Sequence, residues 1–171
     1  PGDEDLPRIG IATLREAFDH VIDARGRGAQ RALRDLRGVR GEMAVLQTRE
    51  VTLQRPVRLL HPRFPLYVCP WGDGRYMVGA TVLETNDDGP VTARSTVELL
   101  NAAYAVHPGF AEARVDELGA GVRPSFADNT PRIELDGTVV RVNGVYRHGF
   151  LTAPVLARLV CRQLADGDAH A

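Results

Sequence analysis

The period of apolar positions changes several times along the chain, and each change marks an element. Phe18 to Ala24, FDHVIDA, alternates into an apolar strand. Arg25 to Leu36 places its glycines first and a helical period after them, which predicts a strand-to-helix turn. Gly41 to Leu60 reads as one or two strands closed by Pro56, and Phe64 to Trp71 as another. Gly72 to Arg75, GDGR, is an Asp-Gly hairpin turn, with Arg75 to Glu84 as the returning strand. After the loop Asn86 to Pro90, Ser95 and Glu98 fit a capping box. They open a helix to Val106 with Val97, Leu100 and Tyr104 on its buried face, ended by Pro108-Gly109. Ala113 to Pro124 is a strand running into a turn, and Ile133 to Gly144 is a second hairpin about Asp136-Gly137. A last helix starts near Phe150, with Val155, Leu156, Leu159 and Val160 as its apolar stripe and Ala165 to Ala171 as a frayed end. The first ten residues carry no strong pattern.

Hairpins, then a helix, then more strands imply an α+β layout: a mixed, mostly antiparallel sheet with helices on one face. The strands about Gly72–Arg75 and those before Gly121 and Asn143 are expected to share one sheet. The strand-glycine-helix unit at each end is similar to the edge of an α/β layer. No internal repeat or low-complexity segment interrupts this order.

Composition narrows the function. The chain has 171 residues, enough for about one domain, and a formal net charge of −1. All 21 basic residues are arginine, which fits a coding bias, and the near-neutral balance leaves no electrostatic footprint for nucleic acid. No apolar run approaches the ~18 residues of a membrane span, and no signal peptide is visible. Cys69 and Cys161 match no zinc or C-x-x-C spacing and read as reduced thiols of a cytoplasmic protein. The five histidines show no paired ligand spacing, so no metal is expected. The chain begins at Pro1, which reads as a processed product or a piece of something longer.

Four features could carry chemistry. Gly26-x-Gly28-x-x-Arg31 follows a strand, but a dinucleotide fingerprint needs a small residue where Arg31 stands, so a plain tight turn explains it better. Arg123, between Gly121 and Pro124, has a fixed direction, and an arginine grips a carboxylate through two parallel hydrogen bonds. A surface arginine in a turn has the same spacing. Tyr67 offers an apolar body and one hydroxyl, as any half-buried strand tyrosine does. His148 lies in Asn143–Val160, where a Tyr-Arg-His run sits between glycines at the mouth of a helix. Such a loop lets backbone approach something flat and partly anionic.

Taken in order, Val39–Met43 (VRGEM), Gly79–Thr81 (GAT), Gly121–Pro124 (GVRP) and Gly144–Pro154 (GVYRHGFLTAP) resemble the C-terminal part of FAD-dependent amino-acid oxidases. The family is the D-amino-acid oxidase and sarcosine oxidase superfamily, and the resemblance is greatest to glycine oxidase of the thiamine-biosynthesis type. It covers roughly Phe18 to Leu164. The resemblance implies the end of an FAD-binding domain over 1–40, a substrate-binding antiparallel sheet over 41–142, and a flavin-facing loop and C-terminal helix over 143–171.

By the same resemblance, Gly144, Tyr146, His148, Gly149, Phe150 and Leu151 lie against the flavin, and Gly26 and Gly28 form a turn near the cofactor. The helix N-terminus there would favour the negative charge of reduced flavin. Arg123 and Tyr67 would bind the substrate carboxylate, and the Arg147 carbonyl the substrate amine. No catalytic side chain is implied: a hydride leaves Cα for the flavin, and positioning does the work. The implied activity is oxidation of glycine or a small N-methyl amino acid to the imine, with dioxygen as acceptor. Ala24-Arg25 departs from the family, which has a small residue and threonine there. The family's opening G-x-G-x-x-G unit is not among these residues. The chain alone is therefore expected to hold no FAD, to belong with a separate FAD-binding domain, and to expose apolar surface on its last helix and on Phe18–Ala24, through which it could form a homo-oligomer. The competing reading is a non-catalytic or truncated subunit that binds an FAD-carrying chain.

Overall fold

The computed structural model describes residues 10–60 and 66–168. Its elements are α1 (Ile11–Ala17), β1 (Val21–Asp23), β2 (Arg37–Gln47), β3 (Val57–Leu59), β4 (Leu66–Pro70), β5 (Arg75–Gly79), α2 (Ala93–Val106), β6 (Arg114–Ser125), β7 (Arg132–Asp136), β8 (Val139–Asn143) and α3 (Gly149–Asp168). Two compact units share them. One takes the chain up to Arg37 and from Pro124 onward; the other is Gly38–Arg123. The class is α+β, as the pattern implied.

In the Gly38–Arg123 unit the strands form a five-stranded sheet in the order β3-β4-β5-β2-β6. The β4–β5 hairpin turns at Gly72, Asp73 and Gly74, all at positive φ, as an Asp-Gly hairpin requires. Successive side chains of a strand face opposite sides, and here the two sides differ sharply. Ala44 and Leu46 of β2, Val68 of β4 and Tyr76 and Val78 of β5 face α2 and pack on its Leu99, Ala102 and Ala103. Burying Leu99 alone is worth about 1.5–3 kcal/mol. Tyr76 meets Phe110 edge to face at 5.2 Å and donates its hydroxyl to the Val51 carbonyl.

The same side of β2 carries two fully buried charges. Arg40 donates Nε and Nη2 to Glu42 Oε1 at 2.9 and 2.6 Å. It also donates to the carbonyls of Asp87 at 2.8 Å and Pro90 at 2.6 Å, which ties the loop before α2 to the sheet. Glu42 Oε1 in turn accepts the Thr92 backbone N–H. Burial raises the Glu42 carboxyl pKa, but hydrogen bonds from Ser95, Arg40 and the Thr92 N–H outweigh it and hold the group below its usual value.

The other unit has a three-stranded sheet, β1-β8-β7, in which β1 runs parallel to β8 with Val21 opposite Val139. β7 and β8 form the expected hairpin, with Gly137 at φ 61°. Leu156 and Val160 of α3 are buried, and Ala29, Leu33, Leu36 and Phe126 make a second small core.

Several expectations change. The strand before Asn143 does not join the large sheet: β8 is taken by the parallel ladder with β1. The helix expected after Gly28 is instead a 3-10 turn, Gly26–Ala29, and further turns. Turn bonds Leu33 N–H to Ala29 O and Leu36 N–H to Leu33 O mimic the helical period that the pattern showed. On α2 the buried face is Ser95, Leu99, Ala102 and Ala103, while Val97 is 57% exposed and Tyr104 55%. The cap is Thr92, whose side chain accepts from the Ser95 N–H, so the cap lies three residues before the expected one and Ser95 becomes N3. Val155 and Leu159 of α3 are exposed. α3 continues to Asp168, past the expected fraying at Ala165. β5 ends at Gly79 rather than Glu84, although Leu83 returns to the sheet through a bridge to Arg40. β6 carries on through Pro124 to Ser125. The short α1 had no signature in the pattern. Phe64 and Pro65 of the fourth strand's expected start lie outside the described residues.

Replacing Glu42 by Gln keeps the shape and removes the charge, leaving buried Arg40 with only the exposed Asp87 carboxylate, 3.4 Å from its Nη1, as a charge partner. Chemical denaturation at pH 7 is expected to show a loss of about 3–5 kcal/mol. The folded carboxyl pKa is depressed, so its stabilisation is present above the unfolded value near ~4.3 and is lost as pH falls. The variant's stability should therefore vary less than the parent's below about pH 5.

Candidate functional site

The side of the large sheet opposite α2 is different in kind. It carries Tyr67 on β4, Met77 and Gly79 on β5, Gly41 and Met43 on β2, and Gly119 and Arg123 on β6. Tyr67 stands opposite Gly79 in the β4–β5 register, and Gly79 opposite Met43 in the β2–β5 register. A methyl placed on Gly79 would sit 3.2 Å from Met43 Cβ, and one on Gly119 would sit 3.5 Å from Met43 Cγ. Met43 therefore has glycine backbone on both flanks.

Tyr67 and Arg123 are both half-buried and braced. Arg58, paired with Tyr67 across β3–β4, holds its guanidinium 5.4 Å from the Tyr67 ring centre. Arg123 donates Nη1 to the Thr81 carbonyl at 3.4 Å. Thr81 is itself fixed, because its hydroxyl accepts the Glu42 N–H at 2.9 Å. A guanidinium and a phenol on the same side of one sheet are groups that suit a carboxylate. Cys69, on the same side of β4, is no thiolate nucleophile: burial pushes its thiol pKa up. Both cysteines are free.

In the other unit the two glycine segments come together. Asn143, 3% exposed, ends β8. Its Nδ2 donates to the Gly26 carbonyl at 2.9 Å, and its Oδ1 accepts the Gly144 N–H at 2.9 Å. One buried amide thus joins the turn after β1 to the turn after β8. Gly144 has φ 80°, and a side chain there would run into the Phe126 ring, so only glycine fits. Arg132 lies over the Phe126 ring, its guanidinium carbon 4.3 Å from the centre. Tyr146 follows at φ 50°, its N–H donating to the Pro124 carbonyl. The His148 carbonyl accepts the Thr152 N–H and hydroxyl at 2.9 and 2.8 Å, which starts α3 one residue on, at Gly149. Tyr146 and Arg147 are half-buried, and His148, Phe150 and Leu151 are exposed.

Asp23, at the end of β1, is buried and takes two ion-pair contacts from Arg25, at 2.8 and 2.9 Å. The Arg25 hydrogen bonds hold its carboxyl pKa below the usual range. The arginine that departs from the family pattern thus closes the β1 turn on itself. A cavity of about 350 Å³ opens beside it, lined by Ile22, Ala24, Gly26, Val142, Ala153 and Leu156 among others. Phe18, Ile22, Val155 and Leu159 are exposed in the same unit.

The sequence-flagged residues therefore fall into two groups. Tyr67 and Arg123 share one side of one sheet. Gly26, Gly28, Gly144, Tyr146, Arg147, His148, Gly149, Phe150 and Leu151 belong to the other unit. Sequence reasoning missed Asn143, whose only signal was a polar residue before glycine at a strand end, and Arg58, which had none. Glu42, within the strand that the pattern predicts from Gly41, is fully buried. Among the described residues no cluster of His, Cys, Asp and Glu could hold a metal ion, and no helix is long and apolar enough to cross a membrane.

Asn143→Ala leaves the Gly26 carbonyl and the Gly144 N–H without their shared partner. A loss of about 1–3 kcal/mol in urea unfolding is expected, with faster amide exchange at Gly144. Parent-like exchange there would show that the amide does not join the turns.

Residues 4–163 match the family model described as FAD dependent oxidoreductase. A Rhizobium etli protein provisionally named thiamine biosynthesis oxidoreductase ThiO is 58% identical over 160 residues, which is 92% of this chain and 49% of that protein. Glycine oxidase from Bacillus cereus superposes with a TM-score of 0.69 at 28% identity, covering 80% of this chain and 40% of that one. Glycine oxidase from Geobacillus kaustophilus, at 24% identity and a TM-score of 0.72 over 83% of this chain and 40% of its own, shares the fold. The chain thus spans about half the length of the curated relative it matches. With this match running through both glycine turns and the Tyr67–Arg123 sheet, the chain belongs to the FAD dependent oxidoreductase family.

Proposed function

We propose that this chain supplies the substrate-binding sheet and the flavin-facing segment of an amino-acid oxidase that takes glycine or a small N-methyl amino acid to its imine, with dioxygen as acceptor. The observation that carries the reading is Arg123, half-buried on the glycine-bearing side of the sheet that also bears Tyr67. Arg123 would bind the substrate carboxylate bidentately, and Tyr67 would add a hydroxyl donor. The names of the relatives, one assigned to thiamine biosynthesis and others to glycine oxidation, agree with that reading.

FAD, when bound, takes up the two electrons of the amine's oxidation. The residues after β8 fit a flat group that gains negative charge. Gly144 has no room for a side chain, so backbone is what it presents. α3 opens at Gly149, five residues on, and the first N–H groups of a helix lack partners inside the helix. Phe150 and Leu151 add exposed apolar surface. The Arg147 carbonyl would accept from the substrate amine. The role of these groups is to bind and orient, which suffices where the amine enters neutral.

Two measurements test this. Arg123→Ala in the FAD-loaded full-length protein should lower kcat/KM for glycine by about 2–5 kcal/mol in transition-state terms, since a charge partner is lost. A change under about threefold would refute the carboxylate role. The second concerns the cofactor. An FAD diphosphate is commonly held by a glycine-rich turn at the start of a helix, and Gly26–Ala29 is a 3-10 turn that opens no α-helix. The 171-residue chain, mixed with excess FAD and desalted, should emerge without flavin absorbance. A stoichiometric yellow product oxidising glycine would show that these residues anchor the cofactor unaided.

A further inference from the structure

Gly41 sits inside the eleven-residue strand β2, buried, where glycine weakens a strand by roughly 0.5–1 kcal/mol relative to alanine. Its backbone does not need glycine, for its φ lies outside the left-handed region. What excludes a side chain is one neighbour. The three nearest atoms to a methyl built on Gly41 are Nη1, Nη2 and Cζ of Arg123, all in overlap with it. The Arg123 guanidinium therefore lies flat on the bare backbone of Gly41, while its Nη1 reaches the Thr81 carbonyl.

We infer that Gly41 is a positioning residue for substrate binding: its missing side chain is the seat that sets the height and tilt of the Arg123 guanidinium. This rests on the reading of Arg123 as the carboxylate ligand and deepens it. The neighbouring residues support a seat rather than a chance gap. Glu42, next in β2, is locked on the opposite side by Arg40 and the Thr92 N–H, so β2 cannot slide to make room. Thr81, which holds the guanidinium from one side, is bonded to the Glu42 N–H. A methyl at position 41 would thus push the guanidinium rather than the strand, because the guanidinium is the flexible end of its side chain. A bidentate pair tolerates little tilt, and a displacement near 1 Å can cost on the order of 100-fold.

The test is Gly41→Ala in the FAD-loaded full-length protein, beside Arg123→Ala and the double variant. Gly41→Ala should raise the KM for glycine, and the dissociation constant for acetate read from the flavin difference spectrum, by roughly tenfold or more. Its kcat at saturation should stay within about threefold. In the Arg123→Ala background the same methyl should change KM and acetate affinity less than about twofold, since its target is gone. If Gly41→Ala fails to fold, the double variant should melt within about 2 °C of Arg123→Ala, because the overlap has been removed. A parent-like KM and acetate affinity in Gly41→Ala, together with a large loss in Arg123→Ala, would overturn the seat and leave the carboxylate role standing. Parent-like values in both would overturn the carboxylate role and the seat with it. A double variant that melts well below Arg123→Ala would show that the methyl strikes something else, and would also overturn the seat.

Discussion

The Arg40–Glu42 pair is the constraint around which the Gly38–Arg123 unit is arranged. Two opposite charges without solvent are tolerable only if every remaining donor and acceptor is met. Meeting them recruits the Asp87 and Pro90 carbonyls and the Thr92 N–H, and so fixes the loop that enters α2. With its N-terminus fixed there, α2 lies along one side of the sheet and buries Leu99, Ala102 and Ala103 against it. Strand alternation then leaves Gly41 and Met43 on the other side, where no helix of this unit packs. The helix-free side on which Arg123 and Tyr67 stand follows from where the buried pair put the helix.

A parallel economy governs the other unit. There the constraint is a single amide, Asn143, buried at the end of β8 and bonded to both glycine turns. Glycine turns have little conformational preference of their own, so their separation needs an outside tether. The β1–β8 ladder brings the two strand ends side by side, and the Asn143 amide spans them. Phe126 then sets the path of Gly144, because the ring occupies the space a side chain would need.

The chemical contrast between the units matches the division of labour proposed for them. The large sheet offers a cation and a phenol on a side that also carries glycines and methionine, groups that would suit an acid. The turn-and-helix unit offers backbone, a helix start and apolar surface, which suits a planar group recognised by approach rather than by side-chain charge.

Local chemistry determined much of this from the sequence alone. The Asp-Gly signals placed both hairpins, because positive φ at glycine is a local property. The order of VRGEM, GAT, GVRP and GVYRHGFLTAP indicated the family, because each motif is a backbone requirement written in residue type. Tertiary structure decided the rest. Val97 and Leu99 are both apolar helix residues, and only the position of the sheet, set by Glu42 and Thr92, chose Leu99 for burial. The period of Ala29, Leu33 and Leu36 is the same for a helix as for successive turns against Phe126. The strand ending at Asn143 could not declare its partner, since a ladder with β1 depends on residues more than a hundred positions away. Gly41 was legible only as a motif letter, because the group that forbids a side chain there reaches it from β6, across the sheet.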